Sequence, residues 1–580
     1  MSRYLRLAAI SFVAILAFGI SAAAQQQSST DNSTPTGQAK GTPPLGSFGG
    51  SDFDKVNLFN GNVSMQFPLS MSGGRAGMGA GATLSYNSKF WRMVTDRPNP
   101  QNSYNVPTYD EWDNGTFIAP GWRINTGRLV ARHSGWNPSS GNCGSEPAGN
   151  QETLTRITFI APDGTEYEFR DTLDDANPAN DGQPSLLGPA NCGTLQAYNR
   201  KSVWITYDGS AATFVSSADI WDISLIPGGG DPPFQTYPSG DVYLRDGTSF
   251  RVTNGRVDWM QDRNGNRVSY TYYSGSPNGG FLHTITDTLG RVTEFSYNIV
   301  DPDDVTGQTN LLVRVVQHRD PSDPDDDQVW KVVRLKLKNA LRQDYVTDAD
   351  PTYEELWPGT LTGPFNENMP SAVVLPTGHS WKFLYNRYGE VASVETPAHG
   401  KIEFDVVAGA GNTPTGPSPF VFRYLKERRT YVRAVDASPE GKTSYDDPSV
   451  GYPAVGTPPA ETVVDVIRYI GTTSIINRSR HFFYSHPLTG VRSPRSDGYT
   501  RWQEGLEFKT EEAGSVGSTW VNRSRSHATW RQASPVGWIP SATTETENQP
   551  ASNPRVIDKT TTILENGLDL VSKVDYVFDT

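Results

Sequence analysis

Apolar and polar residues alternate with a period of two along most of the chain. Between residues 53 and 69 this alternation continues on both sides of Asn60-Gly61, which is the pattern of two β-strands joined by a tight turn. The same pattern surrounds Asp-Gly pairs at 163–164 and 246–247. Further strands are predicted at Val203–Tyr207, Leu311–Gln317, Val329–Leu337, Val463–Ile470 and Ile476–Tyr484. Almost no segment has a capped 3.6-residue apolar period, so we predict an all-β protein of stacked hairpins, with one helical turn at Glu354–Trp357.

A unit with a spacing of 25 residues recurs between residues 254 and 298. Each copy has an aspartate, a glycine three residues later and two aromatic residues, and a weaker third copy keeps the glycine and the aromatics. The residues are Asp262, Gly265, Tyr270 and Tyr272; Asp287, Gly290, Phe295 and Tyr297; and Gly378, Phe383 and Tyr385. The glycine is expected to adopt a positive φ in a tight turn, and the aromatics share one strand face.

One hairpin cannot bury such a face alone, so the units are expected to stack into a long curved sheet, in the manner of a partial shell. The common offsets predict that Tyr270 lies near Phe295 and Tyr272 near Tyr297, on neighbouring strands. The two aspartates are expected at exposed turns.

Segments 254–272 and 287–297 resemble the RHS, or YD, repeat of bacterial RHS proteins. Segment 56–69 is similar to the opening of many RHS proteins, and 121–125 to their Gly-Trp element, so the resemblance covers roughly residues 48–405 with gaps. It implies a β-sheet wound into a hollow shell that often encloses a toxin or presents adhesive surfaces, and hence a cargo or toxin polypeptide as partner. The sequence departs from the family in having few clean repeats after Asp405 and no visible autoproteolytic core or toxin domain. A short paralogue, a split gene product and a truncated reading frame are the alternatives.

Composition shifts along the chain predict five segments. Arg3 and Arg6, the apolar stretch 7–20 and Ala22-Ala23-Ala24 form a signal peptide over 1–24; fourteen residues rise only ~21 Å as a helix, short of a ~30 Å bilayer core. A disordered linker follows at 25–47, then an N-terminal β region at 48–240, the YD-like repeats at 241–405 and a C-terminal β region with degenerate repeats at 406–580. The protein is expected to be exported to the medium or cell surface, with the periplasm as the alternative, and to have no membrane span after signal removal.

The two cysteines, Cys143 and Cys192, both occur in an Asn-Cys-Gly context. A lone pair on an exported chain predicts one disulfide, and two unpaired thiols are the alternative.

The charge of the chain changes the expected partners. It has 50 Lys and Arg against 63 Asp and Glu, a net charge of −13, which repels nucleic acid. Aromatic residues make up 11% of the chain, which argues against a disordered protein.

No catalytic motif is found, and no cofactor is expected. The eight histidines have no metal-ligand spacing, and nucleophile-elbow and nucleotide-binding motifs are missing from the sequence. Asp323, Asp325 and Asp327 are weak candidates for calcium, but their loop lacks the glycine and glutamate of an EF-hand. The chain is therefore interpreted as a structural scaffold related to toxin delivery or adhesion. The alternatives are a carbohydrate- or cell-surface-binding module, using exposed tryptophans among Trp112, Trp122, Trp136 and Trp502, and a secreted glycoside-acting enzyme.

Overall fold

The computed structural model describes most of the chain from residue 39 onward. The described residues are 39–51, 53–70, 73–75, 78–79, 81–99, 102–109, 116–136, 151–171, 201–206, 208–220, 223–224, 238–275, 279–320, 326–346, 350–357, 363–408, 422–446, 461–487, 501–516, 519–532, 553–565 and 568–577.

The first strands form a small antiparallel sheet, called here the N-terminal sheet, in the order β1-β2-β3-β4-β8-β7. β5 and β6 pair separately as a two-stranded ribbon. The strands are β1 (Phe48–Gly50), β2 (Asp54–Asn57), β3 (Val63–Pro68), β4 (Thr83–Asn87), β5 (Trp91–Asn99), β6 (Asn102–Tyr109), β7 (Phe117–Ala119) and β8 (Trp122–Ile124). The expected hairpin around residue 60 is confirmed, because Val56 pairs with Val63.

Eight of the next nine strands close into a ring. The strands are β9 (Arg128–Trp136), β10 (Gln151–Ile160), β11 (Glu166–Asp171), β12 (Val203–Thr206), β13 (Thr213–Ser216), β14 (Ile223–Ser224), β15 (Gly240–Tyr243), β16 (Ser249–Thr253) and β17 (Arg256–Gln261). β13 pairs with β15, β14 pairs with β10, and β17 returns to β9 where Arg256 faces Arg128. Alternate residues point inward and form a separate apolar core that includes Phe159, Phe169 and Phe214.

From β17 the chain continues as one long antiparallel sheet, called here the wall. The strands of the wall are β18 (Arg267–Tyr272), β19 (Leu282–Thr286), β20 (Val292–Val300), β21 (Asn310–Gln317), β22 (Gln328–Lys336), β23 (Asn368–Val374), β24 (Ser380–Tyr385), β25 (Val391–Glu395), β26 (Lys401–Ala408), β27 (Arg423–Tyr431), β28 (Gly441–Asp446), β29 (Glu461–Ile470), β30 (Ser474–Tyr484), β31 (Glu507–Val516), β32 (Thr519–Arg531), β33 (Arg555–Glu565) and β34 (Leu568–Asp575). From β18 to β33, each strand pairs with the one before it and the one after it in the chain.

Helices are minor features of the described residues. Two single turns, α1 (Leu337–Ala340) and α2 (Tyr353–Leu356), and a 3-10 turn at Arg501–Gln503 interrupt the wall. The all-β fold of stacked hairpins is thus confirmed, as is the helical turn. Among the described helices, none combines the length and hydropathy required to cross a bilayer.

The repeated turn explains the Asp-x-x-Gly pattern. Gly265 N donates to Asp262 O (3.1 Å), and Asp262 N donates to Asn266 O (3.0 Å); this is a type I turn followed by a left-handed residue. Gly265 has φ +84°, a conformation that only glycine adopts without strain. The Asp262 carboxylate caps the turn by accepting from the N–H groups of residues 264 and 266. The same pair of backbone bonds closes the turns at Gly164, Gly247, Gly290, Gly378 and Gly389.

The expectation that the aromatics of successive units lie on neighbouring strands is wrong, because each unit contains two strands. β19 lies between β18 and β20, so Tyr270 pairs with Ile285, and Ile285 pairs with Thr293. Equivalent residues are therefore two strands apart, about 10 Å. Phe295 is fully buried, whereas Tyr270 is only half-buried.

The expectation that Asp287 lies at an exposed turn is wrong, because its side chain is buried. The carboxylate accepts from Leu289 N (2.8 Å) and Arg291 N (2.9 Å) and forms an ion pair with Arg291 Nε (2.7 Å). A loop of the N-terminal sheet covers this turn, where Arg75 N donates to Thr288 Oγ1 (2.8 Å). Asp262 has the same local motif and is half-buried.

Candidate functional site

The N-terminal sheet packs against one face of the wall, called here the inner face. Phe67 and Trp122 contact Phe383, with ring centroids 4.9 and 4.8 Å apart. Val391 N donates to the Tyr86 hydroxyl (2.9 Å), across 305 positions of sequence. Aromatic residues bury large areas in such contacts, so this interface contributes much of the largest apolar core.

Three charged side chains are buried at this interface: Lys89, Glu390 and Arg423, called here the ion cluster. Lys89 lies in the turn after β4, Glu390 ends the turn before β25, and Arg423 begins β27. Their exposed fractions are 4%, 0% and 6%. Charged residues are rarely buried to this extent unless they are paired.

The carboxylate of the cluster is fully partnered. Arg423 Nε and Nη2 donate to Glu390 Oε1 (2.6 Å) and Oε2 (2.8 Å), and Asn386 Nδ2 donates to Oε2 (2.7 Å). The guanidinium also stacks 3.6 Å from the ring centroid of Tyr388. Burial opposes the charge on Arg423, but Glu390 raises the pKa of that guanidinium. The guanidinium therefore stays charged, and it meets the carboxylate in the bidentate geometry that is strongest for arginine and carboxylate.

Lys89, the third member of the cluster, has a side chain whose charge depends on pH near neutrality. Lys89 Nζ donates to Arg423 O and lies 4.5 Å from the ring centroid of Phe422. Burial lowers the pKa of Lys89 to about 7; Glu390 opposes this shift and Arg423 adds to it. A partly neutral amine is what Schiff-base chemistry requires, but protein atoms cover this one. We therefore interpret the amine as part of the interface.

A second buried ion pair links the N-terminal sheet to the same wall strand. Arg428 Nε donates to Asp54 Oδ2 (2.5 Å), and Nη2 donates to Oδ1 (3.0 Å). Asp54 is fully buried in β2, and Arg428 is in β27. Breaking such a pair leaves an uncompensated charge in the interior, so the pair fixes the position of the sheet on the wall.

A hydroxyl, an imidazole and a carboxylate are aligned in β30 and β31. The distance between His481 Nε2 and Ser479 Oγ is 3.0 Å, and that between His481 Nδ1 and Glu507 Oε1 is 2.7 Å. Burial opposes ionisation of Glu507, but hydrogen bonds and the proximity of His481 hold the pKa of that carboxyl below its usual range. Thr510 and Ser47 also donate to this carboxylate.

The three groups match the components of a nucleophilic triad. An oxyanion hole also needs free donors, usually backbone N–H groups. β30 pairs with β29 on one side and with β31 on the other. The backbone groups around Ser479 and His481 are therefore hydrogen-bonded within the sheet. The sequence analysis did not predict this cluster, because Glu507 lies in a different strand from Ser479 and His481. The local signal was the Ser-x-His spacing, which places the serine and the histidine on the same face of one strand.

The remaining predicted residues have mixed outcomes. Gly265, Gly290 and Gly378 adopt φ of +84°, +83° and +82°, which confirms the turn prediction. Tyr297, Phe383 and Tyr385 are buried, and Tyr272 is half-buried. The Tyr272 hydroxyl donates to Val257 O (2.8 Å), which ties the wall to the last strand of the ring.

The proposed metal and disulfide residues fall mostly outside the described residues. This applies to Cys143, Cys192, Asp323 and Asp325. Asp327 is described and faces His318, whose Nδ1 lies 3.0 Å from each carboxylate oxygen. Among the described residues, no group of three or more metal-ligating acidic, His or Cys side chains is found.

The tryptophans considered for glycan binding give little support to that use. Trp122 is fully buried against Phe67 and Tyr86, and Trp502 is half-buried. The side chains of Trp112 and Trp136 lie outside the described part of the chain.

Comparison with known proteins assigns no family. No protein-family model matches the chain. No curated protein matches it either. A crystal structure of TcdB2-TccC3 is similar over 92% of this chain and 30% of its own length, at 10% identity and a TM-score of 0.14. One of TcdB2-TccC3-Cdc42 is similar over 89% and 26%, at the same identity and TM-score. The chain thus spans less than a third of either protein, and a likeness this weak carries no argument for fold or function.

Proposed function

We propose that this chain is an exported structural protein, a part of a β shell of the kind that its RHS-like repeats imply, which surrounds or supports another polypeptide. The observation that carries the proposal is the wall itself. Its strands pair in chain order from β17 to β34, and the N-terminal sheet is fastened to its inner face by buried ion pairs. Such a quasi-one-dimensional sheet suits a container or scaffold, because each unit is stabilised by its neighbours.

The charged and hydrogen-bonding groups at the inner face support this interpretation. Arg423 contacts both Lys89 and Glu390, and Asp54 contacts Arg428. The Ser479–His481–Glu507 cluster is proposed to fix Ser47, and thus the start of the N-terminal sheet, to β31. In this proposal the protein has no catalytic role, and its partner is a polypeptide cargo.

Two experiments test the proposal separately. Expression of the full chain in a bacterium, followed by intact-mass measurement of the periplasm and medium, tests export; mature protein beginning near Gln25 is expected. Material that keeps Met1 in the cytosol would overturn export.

Enclosure is tested with a protease-sensitive, unfolded reporter joined after residue 580. The wall is expected to slow cleavage of the reporter relative to the same reporter on a compact β protein. Asp54→Ala, which breaks the ion pair with Arg428, is expected to speed cleavage. Equal cleavage rates in all three fusions would refute enclosure.

A further inference from the structure

The hydrogen bonds of Ser479, His481 and Glu507 have the direction that a reactive serine requires. Burial opposes ionisation of Glu507, but hydrogen bonds and His481 hold the pKa of that carboxyl below its usual range. An ionised carboxylate only accepts hydrogen bonds, so the proton between the two side chains is on His481 Nδ1, 2.7 Å from Glu507 Oε1. In a neutral imidazole this leaves Nε2 as an acceptor, 3.0 Å from Ser479 Oγ. The ring is thus oriented to take the proton of the serine hydroxyl.

We propose that Ser479 is a reactive serine that takes an acyl group from carboxylic esters, with His481 as its base and Glu507 as the residue that positions the base. This inference goes beyond the function proposed above, in which the cluster only fixes Ser47 in place. Ser479 is half-buried, and 15% of the His481 side chain is exposed, so both are accessible to a small ester.

Side chains on the same face of the wall supply the donors that the paired backbone lacks. Val466 pairs with Ser479 across β29 and β30, and Arg468 pairs with Asn477 two residues further along. Since alternate residues share a face, all four side chains are on the inner face, where Val466 belongs to the largest apolar core. Arg468 and Asn477 are thus displaced from the serine by about 7 Å along the strands, a distance that the long arginine side chain spans.

The guanidinium of Arg468 is available for this role. Arg468 is exposed, and among the described residues no hydrogen bond or ion pair joins it to another side chain. Burial raises the pKa of Tyr445 to about 12, and the positive charges of Arg428 and Arg468 oppose that rise. Tyr445 pairs with Val466, so the charge of Arg468 acts at the inner face beside Ser479. A positive charge placed near a forming oxyanion stabilises it.

The proposed step is a single acyl transfer. Ser479 Oγ forms a bond to the carbonyl carbon of the ester, and its proton passes to His481 Nε2. The carbonyl oxygen becomes an oxyanion on the side of Arg468 and Asn477. When this intermediate collapses, the bond to the leaving alcohol breaks and the alcohol takes the proton from His481 Nε2. The products are an acyl-serine and the free alcohol, and no further reactant is consumed.

The chain contains a matched control for this serine. The sequence Asn-Arg-Ser-Arg occurs at 477–480 in β30 and again at 522–525 in β32. Ser524 lies in the same cross-strand row as Ser479, because both pair with Glu512. Two positions later the chain has a histidine after Ser479 but a serine after Ser524. The two serines therefore share local sequence and sheet face but differ in expected reactivity.

The experiment treats the full chain with a fluorophosphonate, which mimics an activated ester, and locates the adduct by peptide mass spectrometry. Ser479 is expected to react at least about tenfold faster than Ser524, and His481→Gln is expected to remove this advantage. Glu507→Gln is expected to slow labelling of Ser479 by a similar factor, and Arg468→Lys to keep more of the rate than Arg468→Met. With nitrophenyl acetate, a burst of one nitrophenol per chain is expected from the parent and none from Ser479→Ala.

Circular dichroism and urea midpoints establish that each variant is folded. Equal labelling of Ser479 and Ser524, or no adduct on Ser479, overturns the proposal, and this comparison is made within the parent and so does not depend on any variant. Labelling of Ser479 that is unchanged in folded His481→Gln overturns it as well. A Glu507 with a purely structural role would lower the urea midpoint of Glu507→Gln without changing the labelling rate of the folded protein, which would overturn the positioning role.

Discussion

Replacing Lys89 with methionine tests whether the ion cluster holds a lysine with a depressed pKa. Methionine keeps the length and apolar contacts of the side chain but removes the amine. The folded-state pKa of Lys89 is about 7, against 10.5 in a solvated lysine, chiefly because of burial. Between these two pH values the unfolded chain therefore binds a proton that the folded chain does not. Stability must then rise with pH across this window, and below pH 7 this group adds no further slope.

The magnitude follows from linkage. One proton of difference is equivalent to about 1.4 kcal/mol per pH unit, so from pH 7 to 9 the parent gains about 2–3 kcal/mol that Lys89→Met does not. Glu390 and Arg423 remain in both proteins, so their contribution largely cancels in the difference. Lys89→Met is expected to be closest to the parent, or more stable, near pH 7, and to fall behind the parent as pH rises.

The assay is urea unfolding of both proteins at several pH values between 6 and 9, with stability taken from the midpoint and slope. The matched control is Lys382→Met, whose lysine is exposed and paired with Glu395 on the wall surface. That variant is expected to track the parent at a constant offset over this pH range. Parallel curves for Lys89→Met and the parent would refute a depressed lysine pKa in the cluster.

Three further outcomes are expected. Asp287→Ala is expected to destabilise the protein by about 1–2 kcal/mol more than Asp262→Ala, because both carboxylates accept several hydrogen bonds but only that of Asp287 is buried; equal urea midpoints would contradict this. Phe383→Ala is expected to cost about 3–5 kcal/mol, whereas truncating its exposed neighbour Leu384 is expected to cost under about 1; similar midpoints for both would count against the docked N-terminal sheet. Intact-mass analysis of alkylated, unreduced protein is expected to show no label on the two cysteines of the chain, and two labels would exclude the disulfide.

The local features of the fold could be predicted from the sequence. Alternation along each strand and the Asp-x-x-Gly turns depend on neighbouring residues, so positions such as Gly265 and Phe383 were placed correctly. The error at Tyr270 and Phe295 came from placing the aromatics of successive units on adjacent strands, although the second strand of the hairpin lies between them.

The candidate site could not be predicted, because it depends on contacts between distant segments. Lys89 follows a strand in an ordinary polar turn, and its burial arises only when β27 and the turn of Glu390 meet the N-terminal sheet. Asp262 and Asp287 have the same motif, and only the loop at residues 73–75 makes one of them buried. No local pattern encodes such a difference.

The attachment of the N-terminal sheet has a consequence for folding. Wall strands pair with their sequence neighbours, so each hairpin can form soon after it is synthesised, and local contacts favour fast folding. The N-terminal sheet is synthesised before the wall. The Tyr86 hydroxyl, however, can accept its hydrogen bond only after Val391, 305 positions later, has been synthesised. During that interval Phe67 and Trp122 have no partner in the wall, so the leading segment is the part of the nascent chain that most needs protection from aggregation.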